Sequence, residues 1–229
     1  MNIVVLTGAG ISAESGIDTF RGADGLWAGH RVEEVATPEG FAANRSLVQD
    51  FYNKRRAQLG EVQPNAAHHA LAKLEKAPGI NLTLVTQNVD DLHERGGSER
   101  VLHMHGELLK KRCEECNAVS EVEGDLSDAT QCGFCGEKGT LRPDIVWFGE
   151  MPFYLPEIEA AVGGADVFAA IGTSSQVYPA AGFVDAAKHV GAKCVELNLE
   201  PTGRSGVFDE CRSGKASEMV VDWVEELLG

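Results

Sequence analysis

NIVVLTGAGISAESG, residues 2–16, is an apolar run followed by a glycine-rich turn. A continuous apolar run is typical of a strand in a sheet that is covered on both faces. Gly8, Gly10 and Ala13 match the G-x-G-x-x-A fingerprint of dinucleotide sites, where glycine lets the backbone approach a pyrophosphate. The N-terminus of a following helix would offer N–H donors to the same phosphates. A plain glycine turn between strand and helix would give the same pattern.

Apolar runs of this kind recur along the chain, and helical patterns separate them. The predicted strands are 2–8, 82–87, 166–172 and 193–198, and the predicted helices are 65–77, 182–191 and 216–228. Alternation of strand and helix indicates an α/β fold, here a Rossmann-like parallel sheet with helices on both faces.

The cysteines indicate a metal site. Two C-x-x-C pairs are separated by fifteen residues, and they are formed by Cys113, Cys116, Cys132 and Cys135. This spacing is typical of a tetrahedral Zn²⁺ held by four thiolates. Because four protein ligands leave no position for water, we expect one structural ion. Two redox-active dithiols are the alternative.

Two inserts interrupt the alternation of strand and helix. The first strand ends near Gly8, yet the next core strand begins only at Leu82, whereas a simple βαβ unit needs about 30 residues. The second insert is the polar, cysteine-bearing stretch. We expect one catalytic unit over 1–229, with a small domain formed by a helical insert at 29–64 and a zinc ribbon at 110–143. The large domain would comprise 1–28, 65–109 and 144–229.

Composition narrows the possible partners. The 229 residues carry a formal net charge of −15, which repels nucleic acids and acidic membranes and suits lysine-bearing proteins. Acidity that serves solubility alone is the alternative, and it is the commoner reason for such a composition. No basic leader and no apolar stretch of spanning length is visible, so we expect a cytoplasmic protein. Its cysteines would then be reduced or bound to metal.

Polar residues follow three predicted strands at the edge where α/β sheets bind ligands. Gln87, Asn88 and Asp90 follow the second strand, and the segments 172–180 and 196–202 follow the other two. We expect a common nucleotide cleft there. Simple turns are the alternative for the last two segments. For the first segment, capping of a helix by Asn88 is compatible with ligand binding.

The segment VLHMHGEL, residues 101–108, contains two histidines. His103 and His105 would share one face if the backbone there is extended. A histidine that titrates near neutrality is suited to act as a general base. The spacing alone is equally compatible with structural histidines.

Three cations stand in a row in DFYNKRRAQL, residues 50–59. In a helical projection Arg55 falls in the middle of an apolar stripe, whereas Lys54 and Arg56 fall at its margins, where we expect them to be solvated. An inward arginine needs a carboxylate partner, because an unpaired buried charge is costly. An aspartate or glutamate of the chain itself is one possible partner.

Taken together, eight motifs resemble those of the sirtuins, which are NAD-dependent protein lysine deacylases. They occur in family order and span nearly the whole chain: GAGISAESGI…FRG, TQNVD, HMHG, CxxC…CxxC, VWFGE, GTSSQV, LNLE and GKAS. The pattern is most similar to that of short bacterial sirtuins of the class that also removes succinyl and malonyl groups. Asp18 departs from it, since many relatives have proline there.

The resemblance implies how the cofactors are held. Phe20 and Arg21 would lie in a loop that closes over NAD, and the other NAD contacts would be Gly8, Ala9, Gly10, Ala13, Gln87, Asn88, Asp90, Gly172, Ser174, Asn198 and Ala216. His105, Asn88 and Asp90 would form the catalytic set, with His105 as the general base acting on a ribose hydroxyl. The four paired cysteines would bind zinc.

The resemblance also implies the substrate and the products. An extended acyl-lysine peptide would pair with Val146, Trp147, Phe148 and Gly149. Tyr52 and Arg55 would bind the distal carboxylate of a succinyl or malonyl group, and Ala36 would leave room for the longer chain. The products would be free lysine, nicotinamide and O-acyl-ADP-ribose.

Three other functions compete with this one. A nicotinamide dehydrogenase requires an early βαβ unit with an acidic ribose ligand, and neither is evident. A zinc ribbon that binds nucleic acid would be basic, but residues 114–131 contain six acidic residues and no lysine or arginine. ADP-ribosyl transfer to protein fits the same motifs and stays open as a side activity. We expect a monomer that binds neither nucleic acid nor membrane.

Overall fold

The computed structural model describes residues 1–18, 27 and 29–229. Its main sheet has six strands: β1 (Asn2–Thr7), β2 (Asn81–Thr86), β3 (Val101–His103), β7 (Val167–Ile171), β8 (Lys193–Asn198) and β9 (Glu210–Ser213). All are parallel, in the order β3-β2-β1-β7-β8-β9. The four predicted strands are confirmed. The short edge strands β3 and β9 were not predicted, because so few residues show no clear periodicity.

Helices cover both faces of this sheet, as predicted. They are α4 (Ala66–Glu75), α6 (Leu155–Gly163), α7 (Phe183–His189) and α8 (Ala216–Leu228). Side chains alternate along β1, so Ile3 and Val5 pack with α4 and α8. Val4 and Leu6 pack on the opposite face with α6 and α7. Burial on both faces explains why the strand is continuously apolar.

The helical insert contains α1 (Val32–Val35), α2 (Pro38–Ala43) and α3 (Arg45–Leu59). Side-chain oxygens cap the N-termini of the two longer helices. Thr37 accepts from Gly40 N–H at 2.9 Å, and Asn44 accepts from Leu47 N–H at 3.1 Å. An apolar cluster that includes Phe41, Phe51, Tyr52 and Trp147 holds these helices against the rest of the chain.

The cysteine-rich segment belongs to a second sheet, formed by β4 (Gly106–Cys113), β5 (Val119–Glu121) and β6 (Leu141–Ile145). The strands are antiparallel in the order β5-β4-β6. A small core of Cys113, Leu126, Cys132 and Leu141 lies at the cysteine end. The short helix α5 (Leu92–Arg95) follows β2. The division into two domains at the predicted boundaries stays a prediction.

The helices of the described residues are all too short or too polar to cross a lipid bilayer.

Candidate active site

A cavity of about 710 Å³ opens at the carboxyl ends of β1, β2, β7 and β8. The chain order reverses there, since β2 lies on one side of β1 and β7 on the other. Ligands of open α/β sheets bind at such a point. The cavity is lined by most of the predicted site residues, namely Gly8, Ala9, Gly10, Ala13, Ala36, Tyr52, Gln87, Asn88, His105, Val146, Trp147, Phe148, Gly149, Gly172, Ser174, Asn198 and Ala216.

The remaining residues predicted to bind NAD or substrate divide into two groups. Arg55 and Asp90 line a smaller cavity of about 80 Å³. This cavity adjoins the large one, because Ala9, Gln87 and Asn88 line both. Phe20 and Arg21 lie outside the described residues.

The glycines of the first motif allow two loops to pack closely. A Cβ on Gly8 would lie 2.8 Å from the Gly172 carbonyl oxygen, and one on Gly10 would lie 2.7 Å from the Gly172 Cα. Gly172 itself has a φ of 62°, a conformation that favours glycine. The predicted helix after this turn is wrong: residues 9–15 form two short 3-10 turns, Ala9–Ile11 and Ala13–Ser15. Close packing of the two loops therefore requires glycine here.

A buried hydrogen-bond chain fixes the residues after β2. Asn88 Nδ2 donates to Ser12 Oγ at 3.1 Å, and Ser12 Oγ donates to Asp90 Oδ2 at 3.1 Å. Asp90 Oδ1 accepts from Leu92 N–H at 3.1 Å, at the start of α5. Asp90, not Asn88, therefore makes the bond at the helix start. Burial raises the pKa of Asp90, and the bonds from Leu92 and Ser12 oppose this effect.

His105 is the histidine that faces the large cavity. Its Nδ1 lies 3.1 Å from the Gln87 carbonyl oxygen. Because a carbonyl oxygen only accepts, Nδ1 carries the proton and Nε2 keeps its lone pair. Burial lowers the pKa of His105, and the Gln87 carbonyl partly opposes this. The imidazole is therefore neutral near pH 7 and able to take a proton at Nε2.

His103 differs in its surroundings. It ends β3, and the next two residues form a turn, so the extended backbone that would have placed both histidines on one face is absent. Its Nε2 lies 2.8 Å from Glu94 Oε1 and its Nδ1 lies 3.3 Å from the Asn88 carbonyl oxygen. Burial lowers the pKa of His103, but Glu94, Glu107 and the Asn88 carbonyl together raise it by more, so the net direction is upward. Both nitrogens are engaged, so His103 has a structural role.

Arg55 is buried, with 8% of its surface exposed. Within the described residues, its Nε and Nη1 have no hydrogen-bond partner and the guanidinium makes no ion pair. The guanidinium carbon lies 4.7 Å from the centre of the Trp27 ring. Burial lowers the pKa of Arg55, while Tyr52, Asp18 and Asp90 raise it. The described chain therefore provides no bonded carboxylate for this cation.

The two neighbouring cations differ from each other. Lys54 is exposed and pairs with Asp50 at 2.6 Å, as expected for a solvated residue. The expectation for Arg56 is wrong. Its Nε donates to the Leu108 carbonyl at 2.8 Å, so it links α3 to β4. A long side chain at the margin of a stripe can reach a neighbouring element, and a helical projection does not show this.

Tyr52 is fully buried beside Arg55. Its hydroxyl accepts a hydrogen bond from Trp147 Nε1 at 2.9 Å. Burial raises the pKa of Tyr52, and the bond from Trp147 opposes this. The phenol is therefore neutral, and its own proton is available to an acceptor in the cavity.

The segment Val146–Gly149 borders the same cavity. Three of its N–H groups are already engaged: Val146 bonds the His105 carbonyl at 2.9 Å, Phe148 bonds the Ala36 carbonyl at 2.9 Å, and Trp147 bonds Glu150 at 2.8 Å. A peptide backbone that pairs here must therefore use the other polar groups of the segment.

The four predicted zinc ligands come together. Their sulfur atoms lie within 4.8 Å of one another, with Cys113 to Cys135 at 3.7 Å and Cys116 to Cys132 at 3.8 Å. Four sulfurs placed tetrahedrally at about 2.3 Å from an ion are separated by about 3.8 Å. The cluster therefore fits a Zn²⁺ ion and has no open position for substrate.

Two cavity residues that were not named as site residues make contacts that the sequence did not reveal. Glu14 accepts from Ser217 N–H and Oγ, both at 2.9 Å, and so places a negative charge at the N-terminus of α8. Thr173 Oγ1 accepts from Gln87 Nε2 at 2.9 Å and joins the ends of β7 and β2. Both pairs join segments far apart in sequence, so no local pattern reveals them.

Comparison with known proteins agrees with this geometry. The Sir2 family model matches residues 8–179. The chain is 58% identical over 228 residues to the NAD-dependent protein deacylase of Salmonella typhimurium, covering 99% of this chain and 84% of that protein. It is 57% identical over 230 residues to a protein of the same name from Pasteurella multocida, covering 100% and 98%.

Solved structures give the same result. A complex of a Sir2 homologue with NAD has a TM-score of 0.89 and 43% identity, covering 99% of this chain and 90% of that one. A Sir2 mutant bound to a p53 peptide and NAD has a TM-score of 0.83 and 31% identity, covering 98% and 92%. With a family match over most of its length, the chain belongs to the Sir2 family, the sirtuins.

Proposed function

We propose that this protein is an NAD-dependent protein-lysine deacylase that removes succinyl and malonyl groups as well as acetyl groups. The relatives named NAD-dependent protein deacylase, at 57–58% identity, support the reaction class. Arg55, a buried cation without a bonded partner among the described residues, is the observation that carries the acyl preference. We further propose that the protein acts as a cytoplasmic monomer on extended acyl-lysine segments of other proteins, and that it binds neither nucleic acid nor membrane.

NAD fits the large cavity. The loops after β1 and β7 border this cavity through Gly8, Gly10 and Gly172, and it is also lined by Ser174, Asn198 and Ala216. When bound, NAD supplies the ribose that accepts the acyl group and the nicotinamide that leaves. Gln87, Asn88 and Asp90 would hold the nicotinamide end, because the hydrogen-bond chain through Ser12 fixes the orientation of Asn88 and Asp90.

His105 provides the general base. Its Nδ1–H is bonded to the Gln87 carbonyl, which leaves Nε2 free to take the proton of a ribose hydroxyl. Its lowered pKa keeps it neutral at physiological pH, so no proton must first be lost.

Tyr52 and Arg55 would bind the end of the acyl chain. A guanidinium with two unused donors is suited to a carboxylate, and the Tyr52 hydroxyl adds a third donor. A succinyl or malonyl group carries that carboxylate, whereas an acetyl group has only a methyl group. Ala36, like Tyr52, lines the large cavity, and its small side chain would leave room for the longer acyl chains.

The proposal is tested with matched peptides that carry acetyl-, succinyl- or malonyl-lysine, each with and without NAD. Mass spectrometry follows the mass of the peptide and the release of nicotinamide. We expect NAD-dependent loss of all three acyl groups. No NAD-dependent loss from any peptide would refute the deacylase function, and loss of acetyl alone would refute the acyl preference.

A further inference from the structure

Helix α3 carries a second row of polar side chains besides Tyr52 and Arg55. At 3.6 residues per turn this row occupies an arc of about 80°. Val48, Phe51, Tyr52, Arg55 and Leu59 occupy a separate arc of about 100° on the same helix. We call the second row the anchoring row, and its members are Arg45, Gln49, Asn53 and Arg56.

Asn53 is bonded to the zinc ribbon at two points. Its Nδ2 donates to the Leu126 carbonyl at 2.9 Å, and its Oδ1 accepts from Leu126 N–H at 3.0 Å. Leu126 is 3% exposed and packs against Cys113 and Cys132. The amide of Asn53 thus pairs with the backbone of a residue in the core of the zinc ribbon.

The other members of the anchoring row bond the same region. Gln49 Nε2 donates to the Leu141 carbonyl at 3.0 Å, and Arg45 Nη2 donates to the Gly139 carbonyl at 2.7 Å. Arg56 Nε bonds the Leu108 carbonyl, and its Nη1 donates to Asn53 Oδ1 at 2.9 Å. Most of these acceptors are backbone carbonyls, which side-chain motion cannot displace.

We propose that the anchoring row, and Asn53 in particular, positions Tyr52 and Arg55 for acyl selectivity. This inference rests on the proposed function of those two residues. Asn53 directly follows Tyr52 and lies two residues before Arg55 in one helix, so rotation of the helix moves all three together. For a side-chain end about 6 Å from the helix axis, a rotation of about 20° is a displacement of about 2 Å. That displacement breaks a charge-assisted hydrogen bond, whose length is about 2.8 Å.

Acetyl-lysine is the internal control, because an acetyl group has no carboxylate and does not depend on the positions of Tyr52 and Arg55. The test measures kcat and KM for succinyl- and acetyl-lysine peptides in Asn53→Ala. We expect KM for the succinyl peptide to rise about tenfold or more, with deacetylation within about threefold of the parent enzyme. Lys54→Ala is the matched control, since Lys54 is exposed on the same helix and bonds only Asp50 among the described residues.

Zinc content and the thermal unfolding midpoint show whether the ribbon remains folded in the variant. If Asn53→Ala fails to fold or loses zinc, Gln49→Met replaces it, since methionine keeps the volume and removes the bond to Leu141. The inference is overturned if a zinc-loaded variant leaves the ratio of desuccinylation to deacetylation unchanged, whether both activities fall in proportion or neither changes.

Arg55→Met, measured in parallel, separates the two proposals. If Arg55→Met leaves the ratio of the two activities unchanged, the proposed carboxylate binding fails, and the inference about Asn53 fails with it. If Arg55→Met lowers the ratio but Asn53→Ala does not, only the inference about the anchoring row fails.

Discussion

His105 and His103 show how surroundings separate two histidines of one motif. The two histidines are two positions apart, and each is followed by one apolar or small residue, Met104 or Gly106. His103 has acceptors at both ring nitrogens, whereas His105 has one at Nδ1 and faces the cavity with the other. Only the second arrangement leaves a lone pair for proton transfer.

Replacing His105 with alanine should abolish deacylation without unfolding the protein. We expect kcat to fall by about 10²-fold or more, the usual contribution of a general base, while zinc content is unchanged. His69→Ala is the control, because His69 is an exposed histidine. Turnover close to that of the parent enzyme in His105→Ala would contradict the assignment.

The pH dependence of the reaction should follow His105. Its pKa is lowered by burial, so the neutral, active form persists to lower pH than in an exposed histidine. We expect kcat/KM to fall on acidification with a midpoint below about 6.5, the ordinary pKa of an exposed histidine. A midpoint above that value would show that the controlling base has a raised pKa and is not His105.

Arg55→Met tests the acyl carboxylate contact. Methionine keeps much of the aliphatic length and removes the charge. Losing a hydrogen bond to a charged group costs about 1.5–3 kcal/mol, so desuccinylation should fall by about tenfold or more. Deacetylation should fall much less. Steady-state kinetics on matched peptides measures both, and equal losses would show that Arg55 has a structural role only.

At the scale of elements, helix α3 joins two parts of the molecule. One face packs in the apolar cluster with Trp147, and the anchoring row bonds the zinc ribbon. The loops after β1 and β7 are joined more tightly still, since Gly10 N–H bonds the Gly172 carbonyl at 2.8 Å. These junctions hold the cavity walls in place.

Loss of the metal should disorganise the ribbon and destabilise the protein. Cys132→Ser removes one ligand from a cluster that contributes two of the four residues in the ribbon core. We expect zinc to be lost and the thermal midpoint to fall, because bound structural zinc contributes directly to folding. Cys211→Ser is the control, since Cys211 is exposed and lies outside the cluster. Full zinc retention in Cys132→Ser would contradict the four-thiolate site.

At the scale of the whole molecule, the net charge of −15 should favour basic substrates. The summed field attracts cationic peptides and is weakened by salt. We expect KM at low salt to be lower for acyl-lysine peptides flanked by lysine or arginine than for those flanked by aspartate or glutamate. The difference should shrink as sodium chloride is added. A difference that is independent of salt would indicate local contacts instead.

Much of the fold was predictable because its signals are local. The apolar strands, the helices after them and the paired cysteines depend on residues close together in sequence, and the structure confirms them. The helix predicted after the first turn was wrong because residues 9–15 form tight turns that pack against Gly172. The prediction that Arg56 is solvated was wrong because its hydrogen-bond partner, Leu108, is distant in sequence.

The parallel α/β sheet, the four-cysteine site and the family motifs follow from the amino-acid sequence, because hydrophobic period and ligand spacing are local properties. The three-dimensional arrangement was needed to show which histidine faces the cavity, which acid bonds the start of α5, and that Arg55 lacks a bonded partner among the described residues. Each of these depends on pairs far apart along the chain. Burial and hydrogen bonding give such residues their chemistry, and both arise only when the distant segments meet.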